Sequence, residues 1–197
     1  MKNRIVVITG SPGAGKSTLM SKLKDHMPHN DLRYTNIGTL MTEAAKDEGV
    51  VEDRDKLRYL SAREMHALRH KAYLKLSLMG GDVVVDTHGW IEQHNRYVSG
   101  LPLEFVKMLG ESLCGLVYID ADTEEIVRRR ERDTTRVREG DDNRTIETQR
   151  HLNLSVMAYY ASYLNVPIFI IHNKEGKMDE AAKELAGAVE SLLSEKK

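Results

Sequence analysis

The nine residues Gly10–Thr18, with the sequence GSPGAGKST, constrain the fold of this chain more than any other segment. They fit the pattern GxxxxGK followed by Ser or Thr, and they stand between the apolar run Ile5–Ile8 and a helical pattern. Glycines let backbone N–H groups approach phosphate oxygens, and the N-terminus of the following helix adds a partial positive charge. The segment therefore predicts a strand, a phosphate-binding loop and a helix that together hold a nucleoside triphosphate.

The residue types around this loop suit phosphate chemistry. Lys16 can reach the β and γ phosphates, and the Ser17 hydroxyl can bind Mg²⁺. Asp86 ends the apolar run VVVD, where its carboxylate can organise Mg²⁺ through water, although a strand-end aspartate can also cap a turn. The expected metal ligands are Ser17 and Asp86, and the expected triphosphate-binding residues are Gly10, Ser11, Pro12, Gly13, Ala14, Gly15, Lys16, Ser17 and Thr18.

Short apolar runs alternate with longer amphipathic stretches along the chain, which is typical of βαβ units around a buried parallel sheet. A helix is expected over Met178–Leu193, where apolar residues recur at helical spacing. A long, charged, helical insert, residues 38–79, separates the second run from the third. The pattern predicts one α/β layered domain over residues 1–197, with strands at Ile5–Ile8, Leu32–Ile37, Val83–Asp86, Leu116–Asp120 and Pro167–Ile171.

Composition excludes several classes of protein. The net charge of −1 gives no overall attraction to nucleic acid or to an anionic membrane. A single cysteine, Cys114, excludes an internal disulfide and a zinc site made of several cysteines. No apolar run approaches the ~20 residues of a membrane span, and the N-terminus lacks a signal sequence. We therefore expect a soluble, cytoplasmic protein with no specific nucleic-acid partner.

Six of the fifteen arginines lie between Arg128 and Arg138. The spacing Asp122-x-x-Glu125 is typical of a capping box and predicts a helix in which Glu125 pairs with Arg129. Beyond it, Arg136 and Arg138 alternate across a non-helical segment and would share one face. We expect Arg128, Arg130 and Arg132 on a solvated helix face, and we expect Arg129, Arg136 and Arg138 to neutralise charge on a transferring phosphoryl group.

Two short patterns also fit a GTPase. The residues Asp86-Thr-His-Gly89 match DxxG, and Asn173-Lys174 matches half of the guanine-reading NKxD. The fourth position of that second motif is Gly176, so the carboxylate that would bind the guanine edge is absent. A GTPase is therefore a weaker interpretation than a kinase.

Six blocks in order along the chain resemble the archaeal-type adenylate kinases, a family of P-loop nucleoside monophosphate kinases. The resemblance implies a three-layer P-loop NTPase sandwich with a five-stranded parallel sheet of order 2-3-1-4-5. It also implies the reaction ATP + AMP ⇌ 2 ADP with Mg²⁺, and a homotrimer. The blocks are GSPGAGKST, NIGTLM (Asn36–Met41), VEDRDKLRYL (Val51–Leu60), VDTH (Val85–His88), SGLP (Ser99–Pro102) and RDTTRVR (Arg132–Arg138).

The same resemblance assigns expected roles by position. Lys16 and the three arginines Arg129, Arg136 and Arg138 would be catalytic, with residues 129–143 forming a short lid. The insert 38–79 would bind the monophosphate, and Asn173 would lie near the adenine of ATP. The residues expected to bind AMP are Gly38, Thr39, Met41, Arg54, Arg58 and His88.

The stretch Gln93–Pro102 departs from the family pattern, because it lacks the proline and glycine found there and carries Arg96. This departure leaves the acceptor open, so another P-loop kinase that uses CMP or a small alcohol is an alternative. A second alternative is an RNA-associated ATPase or GTPase switch in which the arginines hold phosphodiester groups.

Overall fold

The computed structural model describes residues 3–27, 31–50, 57, 59–93, 96–132 and 143–194. Five strands form one parallel sheet, and two further strands form an antiparallel hairpin. The strands are β1 Arg4–Gly10, β2 Arg33–Asn36, β3 Asp82–Asp86, β4 Trp90–Gln93, β5 Arg96–Ser99, β6 Leu113–Asp120 and β7 Ile168–His172. The sheet order is β2-β3-β1-β6-β7. Counted among the five sheet strands alone, this is the predicted order 2-3-1-4-5, which is confirmed.

Helices cover both faces of the sheet. They are α1 Lys16–His26, α2 Ile37–Asp47, α3 Ala62–Ser77, α4 Leu103–Leu109, α5 Thr123–Arg132, α6 Asn143–Leu164 and α7 Met178–Ser194. Along β1, Ile5 and Val7 point into a core shared with α2, α3, α4 and α6, while Val6 and Ile8 point into a core shared with α1 and α7. The near-continuous β-branched runs follow from this burial on both faces. The three-layer α/β sandwich is confirmed, as is the C-terminal helix.

The predicted insert contains α2 from its second residue and the whole of α3. Residues 51–56 and 58 lie outside the described residues, as do residues 133–142 of the predicted lid. Among the helices of the described ranges, none is both long and apolar enough to cross a membrane.

The hairpin of β4 and β5 was not predicted. Its strands are four residues each, and the register pairs Trp90 with Ser99 and Ile91 with Val98. The stretch Gln93–Pro102, where the sequence departs from the family pattern, therefore contains β5 of this hairpin. The strands read WIEQ and RYVS, in which polar and apolar residues do not alternate, and runs of four residues are too short to stand out from a loop.

Gly115 in β6 and Gly187 in α7 offer a matched pair of Gly→Ala substitutions. A Cβ on Gly115 would collide with Leu192 Cδ2 and lie 3.0 Å from the Pro167 carbonyl oxygen, whereas a Cβ on Gly187 would meet nothing within 4 Å. We expect Gly115→Ala to lower the free energy of unfolding by about 1–3 kcal/mol through overpacking. Gly187→Ala should raise it by about 0.5–1 kcal/mol, because alanine favours the helix. Urea denaturation followed by circular dichroism measures both, and equal effects of the two substitutions would contradict the packing of α7 on β6.

Candidate active site

The phosphate-binding loop joins β1 to α1 in a conformation that requires glycine. Gly13 and Gly15 have φ values of 95° and 86°, in the left-handed region that strains other residues. Gly15 is the N-cap of α1 and has no side chain to cap the helix, so the first N–H groups of α1 remain available to a ligand. A Cβ on Gly10 would lie 2.5 Å from the Ile119 carbonyl oxygen, so the start of the loop is packed tightly against β6.

Lys16 is buried at the start of α1 and forms an ion pair with Asp86 Oδ1 at the end of β3. The other carboxylate oxygen of Asp86 accepts a hydrogen bond from Asn36 Nδ2 at 3.0 Å. Asn36 also caps α2, because its Oδ1 accepts from the Thr39 backbone N–H at 3.3 Å. One short chain of polar contacts therefore connects the phosphate-binding loop, the end of β3 and the first turn of the insert.

A cavity of about 540 Å³ opens beside this chain of contacts, between α1 and α2. Its lining combines polar and apolar surface in similar amounts and consists of Ser17, Met20, Ser21, Lys24, Tyr34, Thr35, Asn36, Thr39, Leu40, Glu43, Lys75, Met79 and Asp86. Ser17 and Asp86 line the same cavity and offer a hydroxyl and a carboxylate. Hard oxygen ligands of this kind, few in number and open to water, fit Mg²⁺.

Two further residues expected to border the acceptor pocket lie in α2. Gly38 accepts a hydrogen bond from Thr42 Oγ1 through its carbonyl at 2.8 Å, and Met41 is 5% exposed within the core. Of the predicted set in α2, only Thr39 lines the cavity. His88 lies two residues beyond Asp86, and its carbonyl is closely approached by Gly100, where a Cβ would lie 2.6 Å from it. The four arginines Arg54, Arg58, Arg136 and Arg138 lie outside the described residues.

Arg129 contacts the outer side of the phosphate-binding loop. Its guanidinium donates to the Ala14 carbonyl at 3.2 Å, to the Asn173 carbonyl at 2.8 Å and to Glu125 at 3.1 Å. The last contact confirms the predicted i, i+4 pair on α5. Arg129 thus lies at the phosphate-binding loop and satisfies one carbonyl of the loop and one of the turn after β7.

Arg130 was expected on a solvated helix face, and that expectation is wrong. It is 7% exposed, and its Nε and Nη2 donate to the Pro12 carbonyl at 3.0 and 2.7 Å. The expectation holds for Arg128 and Arg132, whose side chains are 45% and 67% exposed and approach Glu175. The reason is tertiary, because the face of α5 that carries Arg130 packs against a loop 118 residues away.

Asn173, expected near the adenine, is fully buried against the loop itself. Its Nδ2 donates to the Ala14 carbonyl at 2.8 Å, and its backbone N–H donates to the Asp120 carbonyl at 2.8 Å. A Cβ on Gly15 would collide with this amide. In this position the side chain supports the shape of the phosphate-binding loop.

Tyr118 was not identified from the sequence. Its hydroxyl lies 3.0 Å from Ser11 Oγ and donates to the Arg150 carbonyl at 3.4 Å. Burial raises the pKa of Tyr118 to about 12, so the phenol is neutral at physiological pH. A neutral phenol adds no negative charge beside the loop that must hold a triphosphate.

Gln149 and Asn153 on α6 were also missed, and both are almost fully buried. Gln149 accepts from Arg130 Nη2 at 3.4 Å and donates to the Trp90 carbonyl at 3.0 Å. Asn153 accepts from the Trp90 N–H at 2.8 Å and donates to its carbonyl at 3.2 Å. A buried polar network therefore runs from the phosphate-binding loop to the hairpin. The sequence did contain a signal for this network. Two amides stand four residues apart on the buried face of α6, which is otherwise formed by apolar residues such as Ile146, Met157 and Tyr160.

Comparison with known proteins agrees with this geometry. Residues 9–147 match the model of a family described as an AAA domain. An adenylate kinase of Methanocaldococcus jannaschii is 34% identical over 94% of this chain and 97% of that protein. An adenylate kinase of Pyrococcus furiosus is 36% identical over 97% of each chain.

Solved structures support the fold alone. A shikimate kinase from Acinetobacter baumannii in complex with shikimate has a TM-score of 0.58 at 14% identity, covering 98% of this chain and 96% of that chain. A shikimate kinase from Aquifex aeolicus has a TM-score of 0.57 at 19% identity, covering 96% and 98%.

The support that Arg130 gives to the phosphate-binding loop can be tested with Arg128, on the same helix, as the control. Arg130→Met removes the donors to the Pro12 carbonyl, so we expect the free energy of unfolding to fall by about 2–3 kcal/mol. A misplaced loop should also weaken triphosphate binding about tenfold. Arg128→Met should change stability by less than about 0.5 kcal/mol, because its ion pairs are exposed. Urea denaturation and titration with a fluorescent ATP analogue measure these effects, and equal losses in both variants would refute the bracing role.

Proposed function

The chain belongs to the adenylate kinase family, and we propose that it transfers the γ-phosphoryl group of ATP to AMP, giving two ADP, with Mg²⁺. The bond between the γ phosphorus and the bridging oxygen of the ADP leaving group breaks, and a bond to a phosphate oxygen of AMP forms. The observation that carries the proposal is the complete phosphate-binding loop whose Lys16 meets Asp86 at the edge of a cavity lined by Ser17 and Thr39.

Lys16 and Asp86 neutralise each other in this structure. Both groups are largely buried, with side chains 6% and 14% exposed, so neither is well solvated by itself. We propose that Lys16 binds the β and γ phosphates when ATP is present, and that Ser17 and Asp86 then hold Mg²⁺. The bound cation neutralises charge on the phosphate oxygens. Because Asn36 also donates to Asp86, the carboxylate keeps its orientation when Lys16 turns away.

We propose that the insert, residues 38–79, binds the acceptor. Thr39 lines the cavity from α2, and His88 follows the strand that ends in Asp86. Gly38 and Met41 shape the first turns of α2, and Arg54 and Arg58 bind the AMP phosphate. This arrangement would place the acceptor beside the γ phosphate, where positioning and charge neutralisation supply most of the catalysis.

We propose that residues 129–143 form the lid, with Arg136 and Arg138 stabilising the transferring group. Arg129 supports the phosphate-binding loop and also lies close to Gly15, because its Nη1 would be 3.7 Å from a Cβ on that residue. The cytoplasm as location and a homotrimer as assembly remain predictions, and light scattering on the purified protein measures the assembly.

The proposed activity is tested by following ADP formation from ATP and Mg²⁺ with AMP, CMP, UMP, GMP or no acceptor. Rapid ADP formation that requires AMP, and that stops when EDTA removes Mg²⁺, is the expected result. Faster turnover with CMP would identify a different acceptor on the same scaffold. Slow loss of ATP that is indifferent to every monophosphate would contradict the proposal and point to an ATPase.

Arg136→Lys tests the lid. A lysine ammonium cannot bind a phosphoryl group in a bidentate manner, so we expect kcat to fall by about 10²–10³-fold while ATP affinity stays within about twofold. Steady-state kinetics and equilibrium binding of an ATP analogue separate the two effects. Arg144→Lys is the control, because Arg144 is exposed at the start of α6. Unchanged turnover in Arg136→Lys would remove Arg136 from the mechanism.

A further inference from the structure

Arg69 on α3 is a partly buried arginine whose Nε has no hydrogen-bond partner in the described part of the chain. Its Nε has no exposed surface and no hydrogen bond, and the described residues offer its guanidinium no ion pair. The Glu104 carboxylate acts on Arg69 electrostatically, and its hydrogen bond is made with His66 Nε2 at 2.9 Å. Burial lowers the pKa of Arg69, with the Glu104 and Tyr73 side chains opposing the shift, yet the group stays charged at neutral pH.

The position of Arg69 follows from the direction of α3. The C-terminal end of this helix lies at the amino end of the sheet, where Asn3, just before β1, donates to the carbonyls of Leu76 and Ser77. The chain then turns within four residues and enters β3. The helix therefore runs antiparallel to β3, and its first turns lie toward the carboxyl end of the sheet, where ligands bind in α/β folds.

The contacts of Tyr73 show where this part of α3 lies along the direction of the sheet strands. Its ring stacks on Phe105 with centroids 5.1 Å apart, and its phenol lies beside Thr87, between Asp86 and His88. Arg69 is four residues earlier on the same face of α3, about 6 Å closer to the carboxyl end of the sheet. The backbone of Arg69 therefore lies near the level at which β3 ends, outside the set of residues that line the cavity beside Asp86.

A buried guanidinium that lacks a carboxylate or carbonyl destabilises the folded protein, because the desolvation of its N–H groups is not compensated. Other arginines in the described part of the chain have such partners, since the buried Arg130 has the Pro12 carbonyl and Arg150, whose side chain is 21% exposed, has Asp120. Among the described residues none supplies such a partner to Arg69, and the chemistry of its guanidinium fits an anion.

We infer that Arg69 binds the phosphate of the acceptor monophosphate. This inference rests on the proposed function and adds a residue that sequence analysis did not select. A phosphate monoester dianion suits a guanidinium, which can donate two parallel hydrogen bonds to it. Arg69 favours acceptors with a 5′-phosphate over the corresponding nucleosides, and it contributes to acceptor binding rather than to ATP binding.

Arg69→Met is the test, measured as KM for AMP, KM for ATP and the melting temperature without nucleotide. We expect the KM for AMP to rise about 10- to 100-fold, because a charge-assisted contact is lost, while the KM for ATP stays within about twofold. The melting temperature without nucleotide should rise by about 2–4 °C, since an unpaired buried charge is removed. Arg69→Gln, which keeps polarity without charge, should show the same split.

Arg63→Met is the matched control, because Arg63 is exposed on the first turns of the same helix. It should leave both KM values and the melting temperature unchanged. Arg69→Lys should raise the KM for AMP less than Arg69→Met, because the charge is kept and the bidentate geometry is lost.

A wild-type protein without AMP-dependent turnover would reject the proposed function itself. An active wild type together with an unchanged KM for AMP in Arg69→Met and Arg69→Gln would reject only the inference on Arg69. A lower melting temperature with equal losses for ATP and AMP would mean that the guanidinium is structural, and it would also overturn the inference. Isothermal titration with AMP alone gives the same distinction without turnover, because AMP affinity should fall in Arg69→Met and remain in Arg63→Met.

Discussion

A loop that turns its N–H groups toward a phosphate must turn its carbonyls the other way, and those carbonyls need donors. In this chain the Pro12 carbonyl accepts from Arg130, and the Ala14 carbonyl accepts from both Arg129 and Asn173. Without these donors two buried acceptors would be unsatisfied, at a cost of about 1–3 kcal/mol each. The shape of the phosphate-binding loop therefore depends on side chains from α5 and from the turn after β7. The rest of the site is arranged around a loop that is held from outside.

The arginine-rich helix α5 both supports the phosphate-binding loop and connects that loop to α6. A guanidinium has five donors in a fixed plane, so Arg130 can satisfy one carbonyl twice and still reach Gln149. Gln149 and Asn153 then carry the network to both backbone groups of Trp90. The loop that holds the donor phosphates and the hairpin that follows His88 are thereby fixed to the same helix, α6. The rate of phosphoryl transfer depends on the distance between the two substrates. This connection restricts movement of the phosphate-binding loop relative to the hairpin.

The part of this structure that sequence could predict is the part that local rules determine. The strands follow from β-branched runs, the loop from its glycines, and the Glu125–Arg129 pair from helical spacing. The role of Arg130 could not be predicted, because Pro12 is 118 residues away and only the packing of α5 brings them together. The same is true of Asn173, which is 159 residues from Ala14. The amides of Gln149 and Asn153 were within reach of prediction, since they interrupt an apolar stripe at helical spacing.

The arginines of this chain divide by what surrounds them. Arg130 and Arg150 are held by a carbonyl and a carboxylate, which marks them as parts of the scaffold. Arg129 lies between scaffold and site, since it contacts the loop and keeps a carboxylate partner in Glu125. Arg69 has neither kind of partner among the described residues, although its Nε is as hidden from water as a scaffold group. Within the described ranges Arg130 is buried and satisfied by the protein itself, whereas Arg69 is partly buried and has no such partner. In a protein that binds phosphate esters, an anionic ligand is the partner whose chemistry fits Arg69.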